Sequence, residues 1–252
     1  MKVLVVGGAG RVGTFVTPYL QDAGHEVRVL DMRAPSPDGV EFVEGSMLDV
    51  DALRTGLDGV DTFVNMVMKS PGSSTNPMLQ RITDNYELNT LGLHLLLFTA
   101  HELGVTRGVH TSTMSVHDRS RGYYAGEESL PLDNPDIYGF TKGLGERICQ
   151  YFARWFDMNL IGLRITGPRE RENYLKERQD PPAKKAGHPT DEEDLARAYL
   201  AALDMVGVGH GRFEALFIAG DEDEHEHNLT KARRVLRWEP TSHRHLPARN
   251  GS

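Results

Sequence analysis

Tyr138 and Lys142 stand four apart in Tyr138-Gly-Phe-Thr-Lys142. On a helix that spacing puts both side chains on one face. A cation beside a phenol favours the phenolate, which suits the pair to taking and giving a proton near neutral pH. Upstream, the hydroxyl cluster Thr111-Ser112-Thr113 ends an apolar segment. Near the start, Gly7-Gly8-Ala9-Gly10-Arg11-Val12-Gly13 fits two registers, Gly8-x-Gly10-x-x-Gly13 and Gly7-x-x-Gly10-x-x-Gly13. Either register lets the backbone turn tightly, approach a pyrophosphate and aim a helix N-terminus at its charge. Asp31 ends the next apolar segment, where a carboxylate takes both adenosine ribose hydroxyls. Its charge opposes a 2′-phosphate, so the expected cofactor is NAD rather than NADP. Arg33 is the residue that would favour the phosphate, and it reads as a solvated loop residue.

Together the glycine run, the hydroxyl cluster and the Tyr138/Lys142 pair resemble the short-chain dehydrogenase/reductase family, specifically its extended branch of sugar epimerases, dehydratases and dehydrogenases. The resemblance implies Tyr138 as general acid/base. It implies that Lys142 holds the nicotinamide ribose and lowers the tyrosine pKa. Thr113 takes the place of the family's Ser/Thr, which hydrogen-bonds the substrate oxygen. Asn89, in Asn89-Thr-Leu-Gly92, matches a family asparagine near the cofactor. Gly7, Gly10, Arg11, Val12 and Gly13 are the implied pyrophosphate cradle. Where the branch has an aspartate against adenine, this chain has Ser46, followed by Met47 with a backbone to offer. After the fourth strand the branch has small residues; here Asn65-Met66-Val67-Met68 is bulkier and stands beside the cofactor.

Positioning these residues requires alternating strands and helices, and apolar runs do alternate with amphipathic stretches. Strands are expected at Lys2–Val6, Glu26–Leu30, Val40–Val43, Asp61–Asn65, Arg107–Thr111, Leu160–Ile165 and Ala215–Ala219. Helices are expected at Arg11–Ala23 (with Pro18 kinking it), Asp51–Thr55, Met78–Leu103, Ile137–Phe156, Thr190–Asp204 and Leu229–Leu236. Thr190-Asp-Glu-Glu193 reads as a capping box, and the tail from Thr241 as frayed. The fold class is α/β, a Rossmann-type doubly wound parallel sheet over residues 1–165. A small substrate-binding portion over 166–252 interleaves with it.

A length of 252 residues suits such an α/β unit. A net charge of −8 argues against a nucleic-acid partner. No apolar run is long enough for a membrane helix. The start turns to glycine too soon for a signal peptide, and a single cysteine, Cys149, excludes an intrachain disulfide. A cytoplasmic setting is therefore the expectation. His110 reads as a packed strand histidine, and Asp221–His227 as a solvated charge run without zinc spacing; no metal is expected. Ser112 lacks a nucleophile elbow.

Three loops, Lys69–Pro77, Met114–Asp136 and Thr166–Pro189, gather above the carboxyl edge of the sheet, where ligands bind in such folds. They carry Ser73, Ser74, His117, Arg119, Arg121, Tyr123, Asn173 and Lys176, suited to hydroxyls and anions. The proportions are similar to those of uronate dehydrogenases, which place an arginine after Leu-Arg-Ile on the substrate carboxylate. Leu163-Arg164-Ile165 is followed here by Arg169, Arg171, Asn173, Lys176 and Arg178, and which of them corresponds stays open. The expected activity is NAD-dependent hydride transfer from a sugar or sugar-acid alcohol. A nucleotide-sugar epimerase and a catalytically silent cofactor sensor are the alternatives. A homodimer stays open as the assembly.

Overall fold

The computed structural model describes residues 1–68, 77–179, 187–208 and 211–242. Its strands are β1 (Lys2–Val6), β2 (Glu26–Asp31), β3 (Glu41–Glu44), β4 (Thr62–Asn65), β5 (Arg107–Thr113), β6 (Asn159–Ile165) and β7 (Phe213–Ile218). They form one sheet in the order β3-β2-β1-β4-β5-β6-β7, and every pairing is parallel. This is the expected doubly wound sheet. Chain direction around the sheet reverses between β1 and β4, which opens a crevice at their carboxyl ends.

Both faces are covered. Val3 and Val5 enter the core beneath α1 (Arg11–Asp22), α7 (Glu192–Val206) and α8 (Thr230–Leu236). Leu4 and Val6 enter the opposite core beneath α2 (Val50–Leu57), α4 (Leu93–Glu102) and α5 (Ile137–Phe156). Strand side chains alternate between faces, so β1 is apolar throughout because each face is buried.

Several sequence expectations shift. The stretch 78–102 is three pieces: α3 (Met78–Tyr86), a π-helical turn (Glu87–Gly92) and α4. α1 runs unbroken through Pro18, which only denies the Thr14 carbonyl its helical N–H donor. β3 starts one residue late because its register against β2 pairs Arg28 with Glu41. β5 extends to Thr113, pairing with Ile165, so the hydroxyl cluster lies inside the sheet. A short 3-10 turn follows at Met114–Val116, and Arg171–Gln179 forms α6 within the stretch expected to lack structure.

The capping box does not form. The Thr190 hydroxyl meets Thr166 Oγ1 (2.9 Å) and donates to the Ile218 carbonyl (3.3 Å), and the N-cap of α7 is Asp191, whose Oδ2 takes Arg171 Nη1 (2.6 Å) and Ser242 Oγ (2.7 Å). Of the tail expected to fray, Thr241 and Ser242 are held by N–H groups that donate to Asp194 at 3.0 to 3.1 Å, and 243–252 lie outside the described residues. Asp221 is buried rather than solvated, accepting N–H bonds from His225, Glu226 and His227. Among the described residues no helix is long and apolar enough to cross a membrane.

Candidate active site

The glycine turn sits at the sheet's reversal point. Gly7 takes φ +85°, a conformation that favours glycine, and a Cβ there would stand 2.8 Å from Val67 Cγ2 and 2.9 Å from its backbone nitrogen. A Cβ on Gly13 would overlap the Gly8 backbone, so α1 can press onto the turn only without a side chain there. Gly10 is the N-cap of α1 and offers no side chain to the first helical N–H groups, leaving them for a ligand. Asp31 Oδ2 accepts the Ala9 N–H at 3.0 Å and Oδ1 accepts the Arg33 N–H at 3.1 Å. The carboxylate that ends β2 therefore also fixes the turn. Arg33 Nη2 donates to the Ala9 carbonyl at 3.2 Å.

A cleft of about 510 Å³ opens over this turn. It is lined by Gly7, Gly10, Arg11, Val12, Asp31, Ser46 and Met47 among others. A cradle that any Cβ would fill, a free helix N-terminus and an acid at the end of β2 fit a dinucleotide. Asn65 lies beneath the cleft, not in it. Its Oδ1 takes the Val67 N–H (3.0 Å) and its Nδ2 meets His110 Nδ1 (3.3 Å).

A second cavity, about 680 Å³, adjoins the first; Met68 and Pro168 line both. Thr113 and Tyr138 line it together, and the Thr113 hydroxyl lies close enough to the phenol to favour its ionised form. Asp136 caps α5 by accepting the Tyr138 N–H at 2.9 Å. Gly139 lets the helix approach the Ser115 carbonyl so closely that a Cβ would clash. Ser115 and His188, which no sequence signal marks, also line this cavity, as does His227, expected within a solvated charge run. His188 falls in a stretch without periodicity.

Lys142 departs from expectation. Its side chain is fully buried, and Nζ donates to the Thr111 carbonyl (2.6 Å) and lies 3.4 Å from His110 Nε2. Burial pushes Lys142 down to about 8. Burial pushes Tyr138 up to about 12, opposed by the Thr113 hydroxyl and the Arg119 charge. The lysine is thus turned onto the strand backbone, and the depressed tyrosine is not what this structure holds. His110 is more than packing: burial first and the Lys142 charge second keep it neutral. Asn89 is buried on the π turn, with Nδ2 donating to Asn85 Oδ1 (3.1 Å) and Thr141 Oγ1 (3.0 Å). It joins the Asn89 segment to α5 and lines neither cavity.

Behind the floor, Ser112 Oγ donates to Glu146 Oε1 (2.5 Å), and Arg164 clamps Glu146 through Nε (2.9 Å) and Nη2 (2.7 Å). His117 Nδ1 donates to the Pro131 carbonyl (2.7 Å), so its Nε2 accepts from Arg164 Nη1 (3.1 Å). His117 is therefore structural. Arg121 clamps Asp133, Asn173 bonds Glu170 and Lys176 pairs with Glu172. Tyr123 is exposed outside the lining, and Ser73 and Ser74 lie outside the described residues. Of the described residues among them, Arg119 alone lines the cavity.

Residues 3–177 match the NAD dependent epimerase/dehydratase family. A 3 beta-hydroxysteroid dehydrogenase/Delta 5→4-isomerase of Mycobacterium tuberculosis is 35% identical over 156 residues, 58% of this chain and 41% of that protein. The match thus spans less than half of that relative's length. An NAD-dependent glucose-6-phosphate dehydrogenase of Haloferax volcanii is 23% identical, covering 94% of this chain and 92% of that one. A short-chain dehydrogenase/reductase superfamily structure from Agrobacterium tumefaciens, solved with NAD, superposes with TM-score 0.79 at 23% identity, over 95% of this chain and 92% of that one.

Proposed function

The chain belongs to the NAD dependent epimerase/dehydratase family, and from that premise we propose that it oxidises an alcohol of a small sugar-like molecule. The observation that carries this reading is the Thr113–Tyr138 pair on the floor of a cavity that adjoins the dinucleotide cleft.

Gly7, Gly10, Arg11, Val12 and Gly13 would hold the pyrophosphate, Asp31 the adenosine ribose, and Ser46 and Met47 the adenine side of the cleft. Bound NAD supplies a hydride acceptor. Tyr138 takes the proton of the substrate hydroxyl, and Thr113 holds the same oxygen in line. Lys142 lies one helical turn from Tyr138, and its positive charge favours the phenolate if it leaves the Thr111 carbonyl. At about 12, the phenol is too weakly acidic to serve as base near neutrality without that help. The residues after 166 contribute Thr166, Gly167, His188 and His227 to the cavity and act as the substrate-binding portion.

The NAD-dependent glucose-6-phosphate dehydrogenase, aligned over nearly its whole length, supports a dehydrogenase on a small sugar. Incubation with NAD and a panel of free sugars, sugar acids and sugar phosphates tests the reading. Build-up of NADH matched to an oxidised product by mass spectrometry is expected. Isomer interconversion of a nucleotide-sugar without NADH would establish an epimerase instead. NAD binding with neither activity would point to a sensor.

A further inference from the structure

The cavity beside Tyr138 contains one guanidinium with most of its donors uncommitted. Arg119 lines it, and among the described residues its hydrogen-bond partner is Ser115 Oγ, 2.6 Å from Nη2. The acids of its own loop are already engaged. Asp133 takes both Arg121 Nη atoms (2.9 and 2.5 Å) and the Asp118 N–H, while Asp118 Oδ1 takes the Ser120 N–H. Glu226, on the cavity wall, stands 3.6 Å from His188 Nε2. A guanidinium offers five N–H donors in a planar fork that matches a carboxylate or a phosphate.

The arginines expected to take a substrate carboxylate are committed elsewhere. Arg169 pairs with Glu177, Arg171 pairs with Asp191, and Arg178 lies over the Tyr174 ring. Arg119, in contrast, is tied directly to the reacting floor. The Ser115 that holds it donates its own N–H to Thr113 Oγ1 (3.1 Å), and Thr113 lines the cavity beside the Tyr138 phenol. The Arg119 charge is near enough to act on that phenol. On the histidine wall, His227 is fixed by Asp221, and among the described residues His188 Nε2 is buried with no hydrogen-bond partner.

We propose that Arg119 anchors the anionic group, a carboxylate or a phosphate monoester, of a small hydroxylated substrate whose alcohol lies at Tyr138. The position of that alcohol rests on the oxidoreductase reading; the anion site does not.

Calorimetry on NAD-loaded wild type and Arg119→Gln, with glucuronate, glucose 6-phosphate and glucose as probes, tests this directly. Arg119 is exposed, so the substitution leaves the core intact. At least one anionic probe is expected to bind the wild type about 10- to 100-fold more tightly than Arg119→Gln, with glucose unaffected. Arg119→Lys should recover part of the loss. The glucuronate and glucose 6-phosphate arms separate carboxylate from phosphate. Equal affinities in the two proteins, or no binding of either anionic probe to the wild type, would overturn the anion site. NADH formation is followed in parallel. Arg119-dependent binding without NADH would leave the anion site standing and remove the oxidoreductase reading. Equal NADH formation from glucose and the anions, in both proteins, would do the reverse.

Discussion

Replacing Lys142 with methionine should change stability with a sign that depends on pH. Lys142 is fully buried, and burial lowers it from its ordinary 10.5 to about 8. Below about 8, folded and unfolded chains both carry the proton, and the folded state bears the full cost of the buried charge. The gap between 10.5 and 8 corresponds to about 3 kcal/mol. Between pH 8 and 10.5 the folded protein gives up the proton while the unfolded chain keeps it. Wild-type stability therefore rises through that window, approaching about 1.4 kcal/mol per pH unit. Methionine fills similar space without a charge, but it leaves the Thr111 carbonyl without the Nζ donor now at 2.6 Å. That loss costs about 1.5 to 3 kcal/mol. At pH 7.5 the cofactor-free variant should equal or exceed the wild type by about 1 kcal/mol; by pH 10 it should be the less stable protein. Urea unfolding of both proteins at half-unit steps from pH 7.5 to 10 measures the difference. A difference that stays flat across that range would refute the buried-ammonium argument.

Other perturbations follow from the same geometry. Asp31→Ala should narrow the preference for NAD over NADP and weaken both, because Asp31 also holds the Ala9 N–H; calorimetry with the two cofactors reads this. Gly13→Ala should abolish NAD binding by forcing α1 off the Gly8 backbone, seen as loss of the calorimetric signal. Arg164→Ala should destabilise the fold by about 3 to 5 kcal/mol, since it strands the buried Glu146 carboxylate; chemical denaturation measures it. If the chain pairs through the exposed Phe98, Tyr151 and Trp155 of α4 and α5, Trp155→Glu should shift its sedimentation toward monomer.

The fold was legible because its signals are local. Apolar runs of strand length separated by amphipathic stretches can form little else than a parallel sheet with helices on both faces. The glycine cradle was legible because a conformation such as that of Gly7 and a contact such as that of Gly13 demand glycine. What the sequence hid depends on contacts made at long range. That Lys142 points to the Thr111 carbonyl is decided by where β5 lies beneath α5, not by the four-residue spacing. The burial of Asp221 depends on backbone N–H groups of its own turn and on packing far along the chain. The capping box failed because the Thr190 hydroxyl is taken by Thr166 Oγ1 and the Ile218 carbonyl, partners 24 and 28 residues away. Arg119 was one of several polar candidates on its loop; its place in the cavity lining and the engagement of Asp118 and Asp133 by other groups distinguish it.

The most direct test of the central claim compares wild type with Tyr138→Phe on NAD and whichever sugar, sugar acid or sugar phosphate the panel identifies. Nicotinamide absorbance gives the rate, and calorimetry gives the cofactor affinity. NADH should form in step with oxidised product in the wild type. In Tyr138→Phe the rate should fall by about 10² to 10⁴ while NAD affinity holds. A Tyr138→Phe protein that keeps the full wild-type rate would contradict the assignment of the proton acceptor and the reading built on it.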